Sequence, residues 1–251
     1  PVDLDFDIVG SNTRSPGSLV ILHGLFGSKR NWLSLSESFA KRLNIPIYAL
    51  DLRNHGSSPH AEPMTYSTMA DDVLHFCGKQ KLSQVSLLGH SMGGKVAMAL
   101  ALRNDLPDDL LTNLIIADIA PSRGQLSADF RGYVEAMQKI EGSWVTTRKE
   151  AQEILEPYEK DHMTRAFLLT NLVARSGGDS TLKFRVPLDI IDRAIPDLGS
   201  FPYEPGESEW NGRTLFIKGD KSNYINGHNI PIAQKLFPRM KLETLPTAHW
   251  G

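Results

Sequence analysis

A chain of 251 residues, 41% hydrophobic and 22% charged, is long enough to bury a substantial core in one large domain, or in one domain carrying an insertion. Its 27 Lys and Arg are scattered among 29 Asp and Glu, for a formal charge of -2, so no basic stripe serves a nucleic acid and small molecules are the expected partners. The single cysteine, Cys77, excludes an intramolecular disulfide, and no apolar run is long enough to cross a bilayer.

The chain opens at Pro1 without a methionine, and Pro1 to Asp7 is acidic rather than rich in Arg and Ser like an organelle transit peptide. Leu19 to His23 is an apolar run ended by Gly24, which reads as a buried strand and a glycine turn. A helix follows over Asn31 to Leu43, with Trp32, Leu35, Phe39 and Leu43 at helical spacing, then a strand over Ile45 to Leu50 and a polar loop from Asp51 to Pro59. A second helix spans Tyr66 to Gln80 and carries Cys77 as a packed residue. Val85 to Leu88 and Asn113 to Ala117 are strands on either side of an Ala- and Met-rich helix from Met92 to Arg103.

Strands alternating with helices imply right-handed crossovers and a parallel sheet, and the non-alternating apolar strands imply a sheet covered on both faces. From Pro121 to Glu209 the rhythm stops. Helical patterns over Phe130 to Ile140, Arg148 to Tyr158 and Thr164 to Arg175 are followed by a Gly- and Pro-rich stretch, Gly177 to Gly206. This segment reads as an inserted helical cap. The strand pattern resumes at Arg213 to Lys218, with a helix over Ile230 to Phe237 and a last strand at Lys241 to Leu245. The organisation expected is therefore an α/β core over 1–120, a cap over 121–209, and the rest of the core over 210–251.

Gly89-His90-Ser91-Met92-Gly93 fits G-x-S-x-G between a strand and a helix, the setting that exposes a serine hydroxyl on a sharp turn. The helix N-terminus behind it offers free N–H groups and a positive dipole end to an oxyanion. Stabilising such an anion takes two backbone donors. Met92 supplies one and Leu25, in His23-Gly24-Leu25-Phe26-Gly27, the second, with Phe26 as the alternative. His23 and His90 are read as rings that fix loops.

A serine hydroxyl needs a base in reach, and the base needs an acceptor to hold its tautomer. In the chain order of this fold the base comes last, which selects His249 over His228 and His162. The acid has two candidates. In Gly219-Asp220-Lys221-Ser222 the register puts Ser222 where an aspartate is usual and Asp220 two positions early; Asp118 ends the preceding core strand at the same carboxyl edge of the sheet. Asp118 is favoured, Asp220 is the alternative, and Ser222 is a supporting partner.

His23 to Ser28, Asp51-Leu-Arg-Asn-His-Gly-Ser-Ser-Pro59, Gly89 to Lys95 and Ala117-Asp-Ile-Ala-Pro121, with the terminal histidine, resemble one branch of the α/β-hydrolases. That branch holds the mitochondrial abhydrolase-domain proteins, bacterial short-chain esterases and yeast ethanol acetyltransferases; Ala120 to Gln125 is similar to its fungal members. The resemblance covers almost the whole chain. It implies Asp118 as the triad acid, a short acyl ester or acetyl-CoA as acyl donor, ethanol or water as acceptor, and a mitochondrial address. It also implies a closing helix beyond the histidine, which a chain ending at Gly251 lacks.

The expected reaction is acyl transfer through an acyl-enzyme on Ser91, as an alcohol acetyltransferase with esterase and thioesterase activity. No cofactor or metal is called for, acetyl-CoA being a co-substrate, and no H-E-x-x-H pattern is present. A plain carboxylesterase shares the first half-reaction, and a binding protein on the same fold is the reading from another class. Phe130, Tyr133, Met137 and Trp144 are candidates to line the acyl or alcohol pocket; the alternative is that they form the cap's own core.

Overall fold

The computed structural model describes residues 1–10, 17–124, 126, 128–175, 177 and 180–249; Gln125 and the terminal Trp250 and Gly251, on which parts of the sequence reading fall, lie outside them. In chain order the elements are β1 (Phe6–Val9), β2 (Ser18–Leu22), α1 (Leu33–Leu43), β3 (Ile47–Leu50), α2 (Tyr66–Lys79), β4 (Val85–His90), α3 (Met92–Ala101) and β5 (Leu111–Ala117). The intervening segment carries α4 (Ala128–Gly142), α5 (Arg148–Leu155), α6 (His162–Leu168), β6 (Leu172–Ala174), β7 (Leu182–Phe184) and α7 (Leu188–Gly199). β8 (Arg213–Gly219), α8 (Ile230–Leu236) and β9 (Met240–Leu245) complete it.

Seven strands form one sheet in the order β1-β3-β2-β4-β5-β8-β9, parallel except for β1, which pairs antiparallel with β3. β2 lies inside the sheet and all five of its residues are buried, which is why it reads as unbroken apolar sequence. Its side chains divide between two cores: Val20 and Leu22 join the large cluster with Met69, Val73, Val96 and Leu100, whereas Leu19 and Ile21 join a small one with Trp32 and Phe39. The face under α2 and α3 is thus covered where β2 crosses it. The α1 face keeps an open apolar groove of about 770 Å³ bordered by Phe39, Leu88, Ile115, Leu215 and Ile217.

Three elements differ from the sequence expectation. Phe6–Val9 is a strand, held at the sheet edge by β3 alone. The helix expected over Thr164 to Arg175 ends at Leu168; a 3-10 turn, Leu169–Asn171, then leads into β6, which pairs with β7 in a separate two-stranded ribbon. Val173, β-branched and half-exposed, takes the extended state once that ribbon supplies backbone partners. Within the Gly- and Pro-rich stretch, α7 buries Leu188, Ile191, Ala194, Ile195 and Leu198 along one stripe and holds Pro196 inside it. Burial of that stripe outweighs one missing hydrogen bond near the helix end.

Candidate active site

β4 runs into Ser91, whose backbone sits at φ 51° and ψ -120°, a conformation rare for L-residues that turns the strand sharply into α3. The turn needs flanking glycines. A Cβ at Gly89 would lie 2.3 Å from the Gly93 carbonyl oxygen, and one at Gly93 would lie 2.4 Å from that of Leu22. Asp118, just past β5, also has positive φ (52°), and its backbone N–H is fixed by the Ile217 carbonyl at 2.8 Å.

His249 joins the two. Its Nε2 is 3.0 Å from Ser91 Oγ and its Nδ1 is 2.7 Å from Asp118 Oδ2. All three residues are buried. The other oxygen of Asp118 accepts the Gly219 N–H at 3.0 Å, and the Ser222 hydroxyl hydrogen-bonds to the same carboxyl. Burial by itself raises the affinity of Asp118 for a proton, but the bonds from His249, Ser222 and Gly219 outweigh it and hold the carboxyl below its ordinary range. The alternative acid, Asp220, is exposed. His162 and His228 are exposed as well.

Leu25, Ser91 and Met92 line one cavity of about 110 Å³. Among the described residues no protein acceptor takes the backbone N–H of Leu25 or of Met92. The alternative donor Phe26 is different: its N–H is already given to His55 Nε2 at 3.1 Å, which corrects that assignment. The Gly24–Leu25 peptide is pinned from its carbonyl end, where Gly24 O accepts from His23 Nδ1 at 2.7 Å and from the Gly27 N–H at 2.9 Å. His23 Nε2 in turn accepts the Leu52 N–H at 3.0 Å, which sets its tautomer. Two bonds to the carbonyl polarise the same peptide unit that carries the Leu25 N–H.

The rings of His23 and His55 accept an N–H at Nε2 only while they are neutral. Burial lowers His23 to about 4 and His55 to about 3. His90, lowered to about 4 by burial, gives its Nε2–H to the His249 carbonyl at 3.0 Å and so fixes the backbone of the candidate base. The His249 ring also lies against Tyr224, with centroids 4.1 Å apart.

The cavity is closed by both layers. Tyr66, Lys95 and Ile119 contribute from the core side, Phe130 and Leu198 from the segment between β5 and β8. Of the four aromatic and Met candidates in that segment, only Phe130 lines this cavity; Tyr133 and Met137 are buried within the main core, and Trp144 is 61% exposed with the Arg175 guanidinium 4.7 Å from its ring. Sequence reasoning assigned no role to Lys95. Its Nζ donates to the carbonyls of Ser122 and Ser200, each at 2.9 Å, and so ties the start and the end of the inserted segment to α3. The available signal was a lone charge within an otherwise apolar helix.

Among the described residues no cluster of His, Cys, Asp or Glu is arranged to hold a metal ion, and no helix is long and apolar enough to cross a membrane. The α/β-hydrolase fold family model matches residues 17–251. A Xenopus tropicalis protein named sn-1-specific diacylglycerol lipase is 39% identical, covering 99% of this chain and 77% of its own length. A probable alcohol acetyltransferase of Saccharomyces cerevisiae is 35% identical over 100% of this chain and 79% of its own. Among solved structures, a marine microorganism esterase superposes with a TM-score of 0.90 at 34% identity, covering 100% of this chain and 94% of that one. With its parallel sheet, its serine elbow and these matches, the chain belongs to the α/β-hydrolase family.

Proposed function

We propose that the protein is a serine-dependent acyl-transfer enzyme acting on short acyl esters or thioesters, in the first instance an alcohol acetyltransferase that uses acetyl-CoA and ethanol. The observation that carries this is His249 bridging Ser91 and Asp118 at 3.0 and 2.7 Å beside a cavity of about 110 Å³. That space takes an acetyl or similarly short acyl group beside Ser91. The name of the Saccharomyces cerevisiae relative supports alcohol as the acceptor.

In this reading Ser91 Oγ attacks the acyl carbon while His249 Nε2 takes its proton, and Asp118 stabilises the imidazolium. The carbonyl oxygen becomes an anion held by the N–H groups of Leu25 and Met92. Collapse expels the thiol or alcohol, which leaves with the proton from His249, and an acyl-enzyme remains. Ethanol or water then attacks the acyl carbon, giving up its proton to His249, which passes it to Ser91 Oγ as the bond to the acyl carbon breaks and the ester or acid leaves. No cofactor takes part. On the family resemblance alone the protein is also assigned to mitochondria, an assignment checked by fractionation of the tagged protein against matrix markers.

The second reading, a short-chain carboxylesterase, is favoured by the similarity to the marine esterase. Product partitioning separates the two: purified protein with acetyl-CoA and rising ethanol, following free thiol, acetate and ethyl acetate together. The acetyltransferase reading expects ethyl acetate to rise at the expense of acetate while thiol is released. Acetate alone, or cleavage confined to short p-nitrophenyl esters, establishes the esterase instead. Fluorophosphonate labelling that survives Ser91→Ala would remove Ser91 as nucleophile and the mechanism with it.

A further inference from the structure

The loop that offers the Leu25 N–H is held not only from the core but also from the inserted segment. Phe26, next in sequence, has a positive φ of 63°, which a bulky residue keeps only when its surroundings enforce it. Three contacts do so. Its N–H goes to His55 Nε2 at 3.1 Å, its carbonyl accepts Asn171 Nδ2 at 2.7 Å, and its ring, fully buried, lies 6.5 Å from that of Phe130 in a stacked arrangement. Two of the three come from across the cleft, from the segment between β5 and β8.

Asn171 is well placed to act as a fixed point. It is 5% exposed and ends the 3-10 turn Leu169–Asn171. Arg148 braces that turn by donating to the carbonyls of Leu169 and Leu172, and the Asn171 carbonyl accepts the Arg185 N–H at 2.8 Å. A buried carbonyl deprived of its donor costs free energy, and the relief open to Phe26 is rotation of its peptide out of the left-handed conformation. Gly24, Leu25, Phe26 and Gly27 form one tight turn closed by the Gly27 N–H on Gly24 O. Rotation at Phe26 therefore moves the Gly24–Leu25 peptide whose N–H points to the oxyanion.

We propose that Asn171 is a positioning residue that assembles the oxyanion hole from the cap side, so that seating of the cap and readiness of the Leu25 donor are one event. The proposal rests on the serine acyl-transfer reading. It requires Asn171 to matter to the tetrahedral species far more than to the bound ester, because the donor meets full negative charge only in that species.

Trifluoroacetone tests this. The ketone adds Ser91 Oγ to its carbonyl, and the resulting hemiketal oxyanion occupies the same donors without turnover. Asn171→Ala is expected to lower kcat for a short p-nitrophenyl ester about tenfold with KM within about twofold, and to weaken trifluoroacetone inhibition by a similar factor. Asn171→Asp, isosteric but unable to donate when ionised, is expected to show at least the same loss at neutral pH, with the shortfall relative to wild type at the same pH narrowing as the pH is lowered within the range where both stay folded. The control is Arg193→Ala, which removes an exposed cap–core ion pair with Glu62 and should leave ketone inhibition unchanged. Undiminished ketone inhibition in Asn171→Ala, or an equal weakening in Arg193→Ala, overturns the inference while leaving the serine mechanism intact. A wild-type enzyme indifferent to the ketone overturns the mechanism first.

Discussion

At the scale of single residues, the site depends on groups that hold other groups still. Asp118 touches no substrate; it fixes the His249 tautomer through Nδ1 at 2.7 Å and is itself fixed by the Gly219 N–H and the Ser222 hydroxyl. Asp118→Asn puts an amide against Nδ1 and favours the wrong tautomer, so kcat should fall on the order of 10³- to 10⁴-fold, whereas Asp220→Asn should leave it within about twofold. Steady-state assays of the pair decide, and a full-rate Asp118→Asn enzyme would sink the triad. Ser222→Ala should cost about tenfold or less, since one donor of three is lost. Ser91 and His249 were legible because each chemistry allows one residue type at one strand end. That Asp118 rather than Asp220 would meet His249 was legible from register, a wrong spacing at Asp220 and a free strand end at Asp118. The occupation of the Phe26 N–H was not, because it depends on His55 arriving from a loop 29 residues away, and no local pattern encodes such a meeting.

At the scale of elements, legibility follows burial. β2 stands out as an apolar run because both its faces are buried, while β4 and β5 stand out through the face packed under α2 and α3, their α1 face being only partly covered. β1 was missed because Phe-Asp-Ile-Val is a short edge strand with one neighbour, and only that neighbour, β3, makes it a strand. α7 was missed because Pro196 and the surrounding glycines mask a regular apolar stripe. The unequal cover of the sheet gives a measurable asymmetry within β5, where Ile116 is fully buried under α3 and Ile115 borders the open groove beside α1. Ile116→Ala should cost about 3 kcal/mol of unfolding free energy, as cavity-forming truncations do. Ile115→Ala should cost about half of that or less, since part of its surface already meets solvent. Urea denaturation of both variants reads the difference, and equal losses would mean that the α1 face is as tightly packed as the other.

At the scale of the whole molecule, the same buried rings that order the active-site loops set its response to acid. His23, His55 and His90 have folded-state values pushed down to about 4, 3 and 4 by burial, against an ordinary value of 6.5 for a histidine released by unfolding. Between those limits the unfolded chain binds more protons than the folded one, so stability rises with pH across this window and is lost as pH falls from about 6.5 toward 4. Each ring contributes on the order of 1 kcal/mol per pH unit while its unfolded form is protonated and its folded form is not. Asp118, whose value is also lowered, adds its own loss only below the ordinary carboxylate range. The urea midpoint should therefore be flat from pH 8 to 7 and fall steeply between pH 6 and 4.5, well before the carboxylates titrate. His90→Asn, which removes one of the three protons from the balance, should lower stability at pH 7.5 yet flatten the slope between pH 6 and 4.5 by about a third. An unchanged slope would mean that His90 takes up no proton on unfolding in this range, and its burial would then have no share in the response to acid.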